Sequence, residues 1–296
     1  NNLEESRKEL YPNDSKEEFL NKVEKYYNGY RFVSSMNTET VFNPFSILNF
    51  FLNKEFNNYW FATGTPTFLF ETIKVNNYKL ENVENVEISK MNASAVNITD
   101  LKLKVLLYQA GYLTIVDSKE DYLILNFPNY EVKKSYLEFI YNELLGNRKN
   151  IIVRSFANNL IEYLRDRNYE EFFEYIKNTI YGIPNTLLTK NNLSEAYFHT
   201  LMYYTLALIG LEVESEVQTL LGRSDLILKF DNKIYIFELK FDKTAKEAID
   251  QIYTKKYFKK YLNLDKKIIL IGINFSYDEK NINEFIVENL NINNIK

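Results

Sequence analysis

The stretch GRSDLILKFDNKIYIFELK, Gly222 to Lys240, sets two apolar, β-branched-rich runs on either side of the turn signal Asp231-Asn232, which predicts a β-hairpin. Strands of this composition bury at least one face. Yet the first run carries Asp225 near its start, and the second places Glu238 and Lys240 among Ile236, Phe237, Leu239 and Phe241. Charges in a core are costly unless they are paired or bound to a metal. Side chains alternate along a strand, so Glu238 and Lys240 share a face about 7 Å apart. Folding back at the turn brings Asp225 close to both. Two carboxylates converging with an ammonium at one end of a sheet suit a hard divalent cation, with the lysine orienting or deprotonating a water.

The flanking helices add candidates. Glu195 and His199 lie one turn apart and share a face. The same stripe continues through Met202 and Leu206, which should be buried, so Glu195 is expected to point inward as a third carboxylate. Gln251 falls in the helix after the hairpin, with Lys255 one turn beyond it. Lys255, Lys256, Lys259, Lys260, Lys266 and Lys267 form a basic cluster of the kind that tracks phosphates. Each also has a purely structural reading. Asp225 and Glu238 fit strand-end charges paired with Arg223 and Lys240. Glu195 fits the N3 position of a capping box begun at Asn192. His199 suits a packed or hydrogen-bonded helix position better than a ligand, and the lysines suit a solvated helix face.

Composition narrows the chemistry. The 296 residues contain no cysteine, which excludes disulfides, thiolate zinc sites and a cysteine nucleophile, and fits a reducing, cytoplasmic compartment. The single histidine, His199, excludes a multi-histidine metal site, so a metal here takes oxygen ligands and is expected to be Mg²⁺ or Mn²⁺. A net charge of −4 argues against a protein that coats nucleic acid through bulk charge, while leaving room for a local basic stripe. No apolar run approaches the roughly 20 residues that span a bilayer, and no signal peptide is visible. The chain opens on Asn1-Asn2-Leu3-Glu4 rather than on Met, which suggests a fragment of a longer protein. Asn, Lys, Ile and Tyr are abundant as AT-rich coding would make them, so the aromatic content is not evidence for base stacking.

The elements that must position these residues follow from periodicity and capping. The segment to Phe56 reads as helices: Ser15-x-x-Glu18 is a capping box ahead of Phe19, Leu20, Val23 and Tyr26, Asn28-Gly29 ends that helix, and Asn43-Pro44 opens the next with Phe45, Leu48, Phe51 and Leu52 on one stripe. YWFATGTPTFLFETI then gives a turn at Gly64 and Pro66 and a short helix. A helix at Leu101–Gln109, strands GYLTIV and YLILNF joined by Asp117–Asp121, and a helix from about Glu131 suggest a winged-helix-like module. Two amphipathic helices fill 150–182, split at Asp166–Asn168. The remainder reads helix 193–209, strands 211–219, 224–230 and 233–241, helix 244–262, strand 267–273 and helix 282–290, an α/β sandwich with a mixed sheet. The expected domains are a helical region 1–60, a winged-helix-like region 61–150, a helical linker 151–185 and a chemical domain 186–296.

Asp225-x₁₂-Glu238-Leu239-Lys240 resembles the PD-(D/E)XK nuclease signature, with Ser224 where that name has Pro. Around it stand Glu195-x-x-x-His199, Gly222-Arg223-Ser224-Asp225, Gln251-Ile252 and Lys256-Tyr257. Together they resemble the restriction-endonuclease-like domain at the C-terminus of bacterial AAA-ATPase-like proteins. YYNGYRF, VFNPFSILNF, YWFATGTP and AGYLTI…FPNYEV resemble the post-ATPase part of the same proteins. The resemblance implies that Asp225 and Glu238 hold Mg²⁺ or Mn²⁺, that Lys240 positions the nucleophilic water, and that Glu195 is an auxiliary acid. Gln251 joins that catalytic set, and Arg223, Lys255, Lys256 and Lys259 are the expected nucleic-acid contacts. The implied activity is metal-dependent hydrolysis of phosphodiester bonds in DNA; a silent binding module on the same fold, or a platform for an ATPase, are the alternatives. No G-x-x-x-x-G-K-[ST] occurs among the eight glycines, so an ATPase partner, in cis or in trans, would carry its own phosphate loop. Relatives of the recombination-nuclease type place Tyr four residues after the helix Gln, where this chain has Lys255.

Overall fold

The computed structural model describes residues 2–60, 83–93, 103–146, 153–184, 188, 193–209, 212–219 and 222–290. Its chain divides into two compact units, one of residues up to 139 and one of residues from 140 onward. The expected turn at Gly64 and Pro66, and the helix after it, lie outside the described residues.

In the first unit, α1 (Asn2–Leu10), α2 (Lys16–Tyr27) and α3 (Pro44–Asn53) pack around Phe19, Val23, Tyr27 and Phe50. The expected starts and stops hold. Ser15 and Glu18 form a reciprocal capping box, Asn28 caps the C-terminus of α2, and the Asn43 side chain accepts from the N–H groups of Phe45 and Ser46. The stripe expected on α3 is corrected. Phe45, Leu48 and Leu52 are exposed, and Ser46 and Phe50 face the core. Most of PFSILNFFLN is apolar, so its pattern cannot choose a face; the contacts of Phe50 with Phe19 and Tyr27 do.

A three-stranded antiparallel sheet follows, from β1 (Val86–Ser89), β2 (Thr114–Ser118) and β3 (Tyr122–Asn126) in the order β1-β3-β2. The short helix α4 (Lys90–Ala93) and α5 (Leu103–Gln109) lie between β1 and β2, and α6 (Tyr130–Leu144) follows β3. Strand β1 has no counterpart in the sequence reading, because four residues carry too little alternation to register. Gly29 is needed where the chain passes Pro128: its φ is +122°, and a Cβ there would sit 1.8 Å from the Pro128 carbonyl oxygen.

The second unit opens with α7 (Val153–Asp166) and α8 (Tyr169–Tyr181), split as expected, and continues with α9 (Glu195–Leu208). Strands β4 (Glu212–Thr219), β5 (Gly222–Phe230) and β6 (Lys233–Phe241) run as an antiparallel meander. Helix α10 (Ala245–Lys255) and a 3₁₀ turn (Tyr257–Tyr261) cross over to β7 (Lys267–Ser276), which pairs parallel with β6; β8 (Asn281–Asn289) closes the antiparallel edge. The sheet order is β4-β5-β6-β7-β8. One face packs Ile227, Ile234, Ile236, Ile268 and Leu270 against Ile249 and Ile252 of α10. On the other, Phe198 of α9 stacks on Phe275 and Phe173 of α8 on Phe285, each at 4.3 Å between ring centroids.

Two expectations in this unit are corrected. Residues 282–290 form a strand rather than a helix. Their apolar positions satisfy a helical period, but the β-branched Ile282, Ile286 and Val287 find a partner edge in β7. The single helix expected over 244–262 breaks at Lys256, whose φ of 51° is left-handed and turns the chain into the 3₁₀ segment.

Glu131, in the first turn of α6, is fully buried; one carboxylate oxygen accepts from the Trp60 N–H at 2.8 Å, and the other has no partner among the described residues. Burial raises its pKa, the Trp60 bond opposing. The fold therefore favours the neutral acid. Its contribution is full below the ordinary carboxylate pKa and is lost as pH rises through the raised folded value. Glu131→Gln, which mimics the neutral form, should exceed the parent in stability by about 1–3 kcal/mol near pH 8 and match it near pH 4. Urea unfolding at both pH values checks this; a variant weaker than the parent near pH 8 would show that the charge is compensated.

Candidate active site

The two-residue turn at Asp231-Asn232 pairs Phe230 with Lys233 and Leu226 with Phe237. That register sets Asp225 across from Glu238 at the far end of the hairpin. The Asp225 carboxylate accepts from the Leu239 N–H at 2.8 Å, and the carbonyl of Asp225 meets His199 Nε2 at 3.2 Å. His199 thus ties α9 to β5 through the backbone, in line with its reading as a hydrogen-bonded helix residue. Met202 and Leu206 are fully buried below it.

Glu238 is 1% exposed and Lys240 9%. Lys240 Nζ donates to Glu238 Oε1 at 2.9 Å and to Gln251 Oε1 at 2.8 Å. Gln251 Nε2 in turn donates to Glu238 Oε1 and, at 3.2 Å, to the Tyr257 hydroxyl. The closed triangle of Glu238, Lys240 and Gln251 fixes the ammonium with two of its three N–H bonds committed. Glu238 Oε2 is buried with no partner among the described residues.

Helix α10 can bring Gln251 to the sheet because β7 has a glycine there. Gly272 is the register partner of Glu238, and a Cβ on it would lie 2.4 Å from the Ala245 carbonyl oxygen and 2.9 Å from Ile249 Cγ1. The start of α10 is pinned by the Thr244–Glu247 capping box and by a bond from the Ala245 N–H to Glu284 at 2.9 Å.

The electrostatics are those of carboxylates short of positive charge. Burial pushes the Asp225 carboxyl above the usual carboxylate range, and the Leu239 N–H, His199 and Lys240 offset it only in part. Burial, followed by repulsion from Asp225, pushes Glu238 up to about 7, with the bond from Lys240 opposing. Glu195 adds to the rise at both, so its charge is felt at the site. Its side chain, however, is exposed rather than turned inward. Ser194, not Asn192, is the N-cap, its side chain accepting from the Tyr197 N–H, which makes Glu195 the first helical residue.

Of the basic candidates, Arg223 is exposed near the start of β5 and its charge reaches Tyr257; the aliphatic stem of Lys255 lies against Gly222. Both flank the carboxylates. Lys256 caps α10, and Lys259 is exposed on the 3₁₀ turn, with no contact drawing it to the cluster. Tyr257 was missed as a site residue. It lies six positions after Gln251, too far for one helical turn, and only the break at Lys256 returns its hydroxyl to the glutamine. Gly272 was missed as well, although a lone glycine inside IILIGINF marks close backbone approach.

The donor set fits a hard divalent cation. The unpartnered, buried Glu238 Oε2 costs free energy that a cation would recover, and Asp225 stands opposite it. Among the described residues no group of three or more His, Cys, Asp or Glu side chains could hold a metal. The protein thus offers two carboxylates, and water or substrate oxygens would complete the shell, as suits Mg²⁺ or Mn²⁺.

The model of the PD-(D/E)XK nuclease superfamily matches residues 193–285, from the approach to α9 into β8. This part of the chain is a PD-(D/E)XK nuclease superfamily domain, and the five-stranded mixed sheet with helices on both faces is consistent with that fold. Members of the superfamily are generally nucleases that hydrolyse phosphodiester bonds. Over 277 residues the chain is 31% identical to a protein of Azotobacter chroococcum mcd 1 described as an uncharacterized protein in the vnfD 5' region. The match takes in 90% of this chain and 52% of the relative, so the chain spans about half the length of the protein it resembles.

Gly272→Ala forces α10 away from β7 and should cost about 1–3 kcal/mol. Urea denaturation measures it; an unchanged midpoint would mean that the helix is not held by this approach.

Proposed function

We propose that the domain hydrolyses phosphodiester bonds in DNA with Mg²⁺ or Mn²⁺. The observation that carries the reading is the buried Glu238 carboxylate, one oxygen unpartnered, opposite Asp225 and beside a tethered Lys240. A silent binding module gains nothing from burying Glu238 beside a half-buried Asp225 and leaving both short of charge.

Asp225 and Glu238 would hold the cation, which supplies Lewis-acid stabilisation of the charge developing on the phosphate. Lys240, its ammonium fixed by Glu238 and Gln251, directs its remaining N–H toward the attacking water or a phosphoryl oxygen. Gln251 holds that ammonium in place and is itself held by Tyr257. His199 sets the strand that carries Asp225. Glu195, at the solvent side, tunes both carboxylates through space. Arg223 and Lys255 offer positive charge to the flanking phosphates, and Lys256 and Lys259, which follow in the chain, would add to it.

The first unit supports a wider reading. Its antiparallel sheet with flanking helices suits a winged-helix-like module over 61–150, placed between a helical region 1–60 and a helical linker 151–185 that leads into the nuclease domain at 186–296. Likeness to the segments that follow an ATPase, together with the length of the Azotobacter relative outside the match, supports an ATPase partner in cis or in trans.

Calorimetric titration with Mn²⁺ should show binding that Asp225→Ala or Glu238→Ala removes; undiminished binding in both would refute the metal site. Lys240→Met should keep or slightly raise metal affinity, since a like charge leaves, while cleavage falls about 10²-fold or more. Plasmid, linear and single-stranded DNA, each with Mg²⁺, Mn²⁺ or chelator, provide the assay. Full activity in Lys240→Met rules out the role given to the lysine.

A further inference from the structure

The sheet has a second charged end. Lys233 opens β6, five residues and roughly 17 Å from Glu238. It is 9% exposed and makes no hydrogen bond or ion pair among the described residues. Its parallel register partner is Lys267, so the two side chains leave the same face of neighbouring strands about 4.8 Å apart. Burial, then the charges of Arg167 and Lys267, hold the Lys233 ammonium below its usual pKa, with Asp231 opposing. A buried lysine surrounded by like charges is costly unless an anion joins it.

Beside this group lies a cavity of about 590 Å³, a size suited to a small organic ligand. Arg167, Lys266 and Lys267 line it on the polar side, with Asp265 and Asn289, while Leu262, Leu264, Ile268 and Leu290 supply an apolar wall. The lining carries three cations against one acid, Asp265, and the charges of Arg167 and Lys267 reach Lys233 beside it. Arg167 occupies the short link between α7 and α8 with φ of 58°, a left-handed conformation that glycine or asparagine would adopt with less strain. What arginine adds at that position is a guanidinium, whose fork grips two phosphate oxygens at once.

We propose that this cavity binds a small phosphomonoester of nucleotide size, its phosphate held by Arg167 and Lys267 with the charge of Lys233 behind them, and its organic part laid on Leu262, Leu264, Ile268 and Leu290. The cavity is separate from the carboxylate site and does not depend on the nuclease reading. A free nucleotide is the ligand inferred, because an apolar wall beside the cations suits a base or similar body better than a continuous backbone.

Calorimetry on the full chain in chelator, which silences the metal site, supplies the test. The probes are deoxyadenosine 5′-monophosphate, deoxyadenosine, inorganic phosphate and a single-stranded oligonucleotide without a terminal phosphate. The monophosphate should bind and deoxyadenosine should not. Arg167→Ala and Lys267→Ala, both at exposed positions, should each weaken the monophosphate about tenfold, while Asp225→Asn leaves it unchanged. Lys233→Met should weaken it further where the variant folds; the two exposed variants decide the matter where it does not. Absence of monophosphate binding at millimolar concentration, or equal binding in the Arg167 and Lys267 variants, overturns the proposal. So does binding of the oligonucleotide alone that these variants abolish, since the ligand would then be a polymer backbone.

Discussion

A carboxylate that is 1% exposed at the end of a central strand constrains most of the second unit. Glu238 cannot be left there without compensation, and among the described residues protein groups reach only one of its oxygens. Lys240 and Gln251 converge on Oε1, and Oε2 faces no donor. To bring Gln251 so close, α10 must press onto β7, and the missing side chain of Gly272 makes that approach sterically possible. The Thr244–Glu247 cap and the Glu284 contact fix where the helix begins, so its second turn arrives over Glu238. The break at Lys256 then sends Tyr257 back to the glutamine. Each of these local choices is explained by the need to hold one buried charge half satisfied.

The central hairpin was legible in the sequence because its signals agree: β-branched runs, a two-residue turn and charges kept out of the middle of its second strand. Capping was legible for the same reason, since Ser15, Glu18 and Asn43 act on their own neighbours. Where the reading failed, the deciding contact lay far away in the chain. Residues 282–290 carry an apolar pattern compatible with either period, and only the open edge of β7 selects the strand. Helix α3 is apolar nearly all round, so its buried face was chosen by Phe19 and Tyr27 rather than by its own periodicity. Glu195 opens α9 because Ser194 rather than Asn192 is the cap, two residues that propensity scarcely separates.

The pair Asp225 and Glu238 was foreseen from spacing, whereas the residues that tether Lys240 were foreseen only in part. Gln251 lies on a helix, and its reach depends on how deep that helix sits. Depth is set by Gly272, twenty-one positions further on. Tyr257 depends on a left-handed lysine that no local rule favours. Alternation can place two side chains on one face of a strand; the depth of a helix above that face is a packing result that involves the whole sandwich.

A strand covered on both faces can meet ligands only at its ends, and this explains where the charges of the second unit lie. All of β6 from Lys233 to Lys240 is buried, and its interior is Ile234, Tyr235, Ile236 and Phe237. Charged side chains remain only at its first residue and near its last. The antiparallel turn at Asp231-Asn232 and the parallel return of β7 then give the two ends opposite character. At the far end the hairpin brings in Asp225 from β5, which makes an acidic pair with Glu238. At the near end the parallel register brings in Lys267 from β7, which makes a basic pair with Lys233. Antiparallel pairing on one side of β6 and parallel pairing on the other therefore separate a cation-seeking end from an anion-seeking end on a single strand.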